Sequence, residues 1–120
     1  MKFQTLLEKV LGFKDDFIKF VKSRAAGALK IQRAAEQKGG YAILTGFHFA
    51  GKVKPYAEGL MIADKDDRDD LLKEKYKIAY AKLRNLDSLS QRQFQFITGE
   101  LEAYGEMYVK TIKPNSIKLD

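Results

Sequence analysis

The sequence predicts an all-α fold, a single-domain bundle of four to five helices over residues 1–120. Three observations carry that expectation. Phe3, Leu6, Val10, Phe13, Phe17 and Phe20 recur at alternating spacings of three and four, which is one face of a long helix. The same spacing returns in three later segments. Those segments are separated by Gly39-Gly40, an acidic run at 64–70 and a polar stretch near Ser88, with no repeat, low-complexity tract or linker that would divide domains.

The first helix is expected from residue 3 to about residue 38, stopped by Gly39-Gly40. Leu7, Leu11, Ile18, Val21, Ala25 and Leu29 widen its apolar arc to about half the circumference. An arc that wide predicts two neighbours, the position of a central helix. Gly12 and Gly27 lie inside, each costing ~1 kcal/mol relative to alanine, so a break near Gly12 is an open alternative. Beyond Ser23 small residues dominate: Ala25, Ala26, Gly27, Ala28, Ala34 and Ala35.

The second helix, Tyr41 to about Ala63, carries a matching small strip of Ala42, Gly46, Ala50 and Ala57. Pro55 lacks a donor and presses on the Gly51 carbonyl, which predicts a kinked or split helix near Lys52–Pro55. Leu72, Tyr76, Ala79, Leu83 and Leu86 mark a third helix, closed by Asn85 and Asp87. Ser88 and Gln91 read as a capping box for a fourth. That helix is marked by Phe94, Ile97, Leu101, Tyr104 and Tyr108, stops before Pro114, and leaves 113–120 as a tail.

Composition narrows the chemistry. With no cysteine, disulfides, thiolate catalysis and zinc-thiolate or iron–sulfur sites are excluded. No apolar run reaches the roughly 20 residues of a membrane span, and Glu8, Asp15 and Asp16 are wrong for a signal peptide. A soluble, cytoplasmic protein is expected. The formal net charge is +6, and residues 1–40 hold nine basic against four acidic side chains. Electrostatic function therefore belongs to the first helix.

Candidate sites follow from this distribution. The acidic run opens like a calcium loop, but it lacks the turn glycine and has Lys75 where the closing glutamate belongs. Helix-end carboxylates that offset the dipole are the better reading. His48 is the sole histidine, on a polar strip with Tyr41, Thr45 and Lys52, and no spacing supplies a partner for metal or acid–base work. It reads as a rim residue, and no cofactor or metal is expected. Arg24 falls inside the apolar arc, so it needs a partner such as Glu58 or Glu100, or a ligand anion. With Phe94, Tyr104 and Tyr108 it is the candidate pocket. Lys19, Lys22, Lys30 and Arg33 share the polar side of the first helix as a candidate nucleic-acid or anion contact. No catalytic constellation is legible.

The function expected is a non-enzymatic helical interaction module, an adaptor or regulator. It would act through the N-terminal ridge around Phe3, Leu7, Val10 and Leu11, with a homodimer as one arrangement. Two alternatives come from other classes: a nucleic-acid-associated protein using the basic stripe, and a carrier of a small apolar or anionic ligand in an aromatic-lined bundle.

Overall fold

The computed structural model describes the backbone of residues 2–85 and 90–112, and the side chains of residues 16–85 and 90–112. It holds four helices: α1 Lys2–Lys38, α2 Ala42–Met61, α3 Arg68–Arg84 and α4 Gln91–Ile112. Helix α1 is continuous through Gly12. Helix α2 passes through Pro55 without splitting. Gly39 and Gly40 turn the chain between them at φ 69° and 61°, a left-handed backbone that residues with a Cβ adopt poorly.

The other boundaries have local causes. Asn85 closes α3, its backbone N–H donating to the Ala81 carbonyl. Asp69 and Asp70 occupy the first turn of α3, where they offset the positive end of its dipole. The Asp67 side chain makes no capping hydrogen bond. Helix α4 opens on a reciprocal capping box between Ser90 and Gln93, each backbone N–H donating to the other's side-chain oxygen at 3.1 Å. The box thus sits two residues after the expected Ser88–Gln91 pair, of which Ser88 lies outside the described residues. The tail 113–120 lies outside them too.

Two antiparallel helix pairs build the bundle. Ala35 of α1 lies against Gly46 of α2, where a Cβ would meet the alanine methyl at 3.5 Å, and farther along Arg24 lines a hollow with Lys52 and Tyr56. Of the two small-residue strips, Ala35 and Gly46 meet as expected, while Ala57, Ala26 and Ala34 are exposed. Gly105 of α4 lies against the Tyr76 ring of α3, while Arg68 reaches Thr111.

The pairs join through α2 and α4, which run parallel. Gly51 abuts the Phe96 backbone, Gly99 abuts the His48 carbonyl, and Gly59 abuts the Met107 sulfur. The spatial order is therefore α1, α2, α4, α3, with only a slight contact between α1 and α4. The central position expected for α1 belongs instead to the α2–α4 pair, because glycines let those two backbones approach most closely.

Phe17, Phe20 and Val21 from α1, Tyr56 from α2, Leu72 from α3, and Ala103, Tyr104 and Met107 from α4 form one buried core. Each large apolar side chain so buried contributes about 1.5–3 kcal/mol. Arg68 seals the α2–α3 turn over this core. Its guanidinium lies 4.0 Å from the Phe17 ring centroid, Nη1 donates to the Ala63 carbonyl at 2.7 Å, and Nε donates to Thr111 Oγ1 at 3.1 Å. Burial lowers its pKa, with Asp69 opposing. No helix among the described residues is long and apolar enough to cross a membrane.

Candidate functional site

His48, Lys52 and Tyr56 stand four residues apart on α2, so they form one stripe along it. Thr98, Glu102 and Glu106 do the same on α4. Because the helices run parallel in close register, the stripes mesh into a polar seam. His48 sets Nδ1 3.2 Å from Thr98 Oγ1 and Nε2 2.9 Å from Glu102 Oε2. Lys52 Nζ lies 3.2 Å from Glu102 and 3.3 Å from Glu106. The Tyr56 hydroxyl donates to Glu106 Oε2 at 2.7 Å. On the α3 side, the Tyr104 hydroxyl donates to Glu58 at 2.6 Å and Lys75 Nζ approaches the same carboxylate at 3.1 Å.

The seam shapes its own ionisation. Burial alone would raise the Glu102 carboxyl, but hydrogen bonds from His48 and Lys52 outweigh it and hold the group below its ordinary value. Glu58 is likewise held low, by Tyr104 and Lys75 against its own burial. Tyr56 and Tyr104 are pushed far up, first by burial and then by the carboxylates they donate to. Among the described residues no buried side-chain nitrogen or oxygen lacks a partner.

Thr98, His48 and Glu102 follow the order hydroxyl, imidazole, carboxylate found in nucleophilic relays. Here, however, the Thr98 hydroxyl donates to the Gln95 carbonyl at 2.9 Å, a back-bond within its own helix. Backbone fills the adjoining space, where Gly99 meets the His48 carbonyl. The arrangement ties two helices together. The His48 side chain, expected at the rim, is only 17% exposed between α2 and α4, and it has the carboxylate partner that no local spacing disclosed. Among the described residues no three His, Asp or Glu side chains are placed to hold a metal ion.

At the α1 edge the seam opens into a hollow of about 280 Å³. Arg24, Gly27, Ile31, Phe49, Lys52 and Tyr56 are among its lining residues. Arg24 is half exposed and stacks 5.3 Å from the Phe20 ring centroid. Its ionic neighbour is Glu106, not Glu58 or Glu100, with Nε 3.9 Å from Oε2. That is too long for a hydrogen bond.

The expected aromatic pocket is not assembled from the four residues named for it. Phe94 is exposed on α4, Tyr104 is buried against Glu58, and Tyr108 packs at the edge of the core. None of the three lines the Arg24 hollow. The stripe residues Lys19, Lys22, Lys30 and Arg33 are all exposed on α1. Phe3, Leu7, Val10 and Leu11 belong to α1, but their side chains lie outside those described.

Comparison with protein-family models, with curated proteins and with solved structures returns no match to this chain.

Proposed function

We propose that this protein is a non-enzymatic helical interaction module, docking through the N-terminal half of α1 onto a second copy of itself. One observation supports the reading above the rest. Helix α1 has 37 residues and α2 has 20, and α2 ends where Ile62 and Ala63 join Phe17, Phe20 and Val21 in the core. Helix α2 thus accompanies only the second half of α1. The spacing that buries Phe17 and Phe20 continues backward through Phe13, Val10, Leu6 and Phe3, and an apolar helix face of that length calls for a second helix. Conversely, the polar side chains of the α2–α4 seam are engaged with one another, which favours a binding role over a catalytic one.

The test is sedimentation of the wild type beside Leu7→Asp and Leu11→Asp variants, with helicity followed by circular dichroism. Concentration-dependent dimerisation lost in folded variants supports the proposal. A wild type that stays monomeric at every concentration, or variants that unfold, would sink it.

A second reading, nucleic-acid association, is favoured by the exposure of Lys19, Lys22, Lys30 and Arg33, none of which has an ion-pair partner among the described residues. It requires binding that falls steeply with salt. No retention on heparin at low ionic strength would remove it.

A further inference from the structure

We infer that the hollow between α1 and α2 is a binding site for a small organic anion, a carboxylate or phosphate ester carried on an aromatic or apolar body. This does not depend on the docking proposed for the start of α1. Three features of the hollow converge on it.

The first is a cation whose one ion pair among the described residues, to Glu106, is long. Glu106 accepts from the Tyr56 hydroxyl on Oε2 at 2.7 Å and from Lys52 Nζ on Oε1 at 3.3 Å, so each of its oxygens already serves a nearer donor than Arg24. Arg24 pairs with Oε2 only at 3.9 Å, beyond hydrogen-bond range. Stacking on Phe20 fixes one face of its guanidinium, while the N–H fork, which suits carboxylate or phosphate oxygens, borders the hollow. Lys52 shares the lining with a third N–H beyond the two directed at Glu102 and Glu106. The Ser23 hydroxyl completes the polar side.

The second is the apolar wall. Ile31 is 41% exposed, and the half-buried Phe49 ring stands across from it on α2. Charge at one end and apolar surface at the other fit an amphiphilic anion better than a bare ion. The volume of about 280 Å³ falls just below the range for ligand pockets, about 300–1,000 Å³, which suits a small ligand.

The third is Gly27. Its φ is not positive, and a Cβ built on it would meet nothing within 4 Å. Neither backbone conformation nor packing requires glycine here, and mid-helix glycine is destabilising. Its one visible consequence is an open floor to the hollow.

The experiment is a titration of the isotope-labelled full chain, followed through its backbone amide resonances. Phenyl phosphate and benzoate are the probes, each compared with uncharged benzyl alcohol and with inorganic phosphate. Saturable shifts are expected at Ser23, Arg24, Gly27, Ile31 and Phe49. The tighter of the two organic anions identifies the headgroup class. Benzyl alcohol and inorganic phosphate should each bind more weakly by about tenfold or more, since each forfeits one half of the recognition. Arg24→Gln should weaken the anions by a similar factor, and Gly27→Leu, placed on an open helix surface where the fold tolerates it, should abolish binding by filling the floor. Three results would overturn the inference: no saturable shift at these residues, equal binding of the uncharged probe or inorganic phosphate, or unchanged binding by both variants.

Discussion

The hydroxyl of Tyr56 donates to Glu106 across the α2–α4 interface at 2.7 Å, from a side chain only 1% exposed. A phenol so placed needs an acceptor, since a buried donor left unmade costs about 1–3 kcal/mol. Glu106→Ala should therefore destabilise the fold by roughly 2–3 kcal/mol and Glu106→Gln by about 1 kcal/mol, because the amide oxygen still accepts. Urea denaturation measures both. A double-mutant cycle with Tyr56→Phe should give a coupling above about 0.5 kcal/mol, and additivity would contradict the bond's importance.

The glycines of the structure should separate into distinct classes. A Cβ at Gly51 or Gly99 meets backbone of the facing helix, which cannot rotate aside. Alanine at either position should cost about 3 kcal/mol or more, at the upper end of overpacking losses. At Gly59 the obstacle is the Met107 sulfur, the end of a flexible chain, so alanine there should cost about 1–2 kcal/mol. Gly27→Ala should stabilise by up to ~1 kcal/mol. Thermal unfolding of the four variants reads the order directly.

Arg68 joins three elements with one side chain. Arg68→Met retains the stem over Phe17 but removes the bonds to Ala63 and Thr111. A loss of about 2–3 kcal/mol is expected, from two charge-assisted hydrogen bonds and a cation–π contact. Arg68→Lys should recover only part, because an ammonium lacks the planar fork.

Stability should fall at both ends of the pH scale. Tyr56 and Tyr104 keep their protons in the fold beyond the ordinary 10.0, so their contribution is complete below about pH 10 and is lost as pH rises above it. Glu58 and Glu102 are held low in the fold. Their contribution is present above about pH 4.3 and lost as pH falls through their folded values. Phenolate absorbance should show two tyrosines ionising only with alkaline unfolding. Their ionisation at an ordinary pH with the fold intact would contradict this.

Much of the architecture was legible because helical period and punctuation are local properties. Phe17, Phe20, Ile97 and Tyr104 fall on buried faces as their spacing implied, and Gly39-Gly40 ends α1 for the reason glycine pairs do. The seam was much less legible. His48, Lys52 and Tyr56 are visible as a four-residue series, and so are Thr98, Glu102 and Glu106, but nothing local states that α2 lies parallel to α4 at matching height. That register comes from Gly51, Gly59 and Gly99, whose role emerges only when the facing backbone is known. Arg24 falls inside the apolar arc by spacing, but its side chain is half exposed in the fold, and its neighbour Glu106 lies on a helix that no nearby residue points to.

The parallel alignment of α2 and α4 also bears on how the chain reaches this state. Within each antiparallel pair the partners are consecutive helices, joined by a short turn between α1 and α2. The seam instead links residues 50 and 54 positions apart, as in His48 with Thr98 and Lys52 with Glu106. Closing so large a loop costs entropy before any rung forms, whereas the pairs assemble from near neighbours. Docking of two preformed pairs is thus the expected slow step. Alanine at Gly51 or Gly99 should retard folding, while lesions confined to the outer faces of α1 or α3 should mainly hasten unfolding.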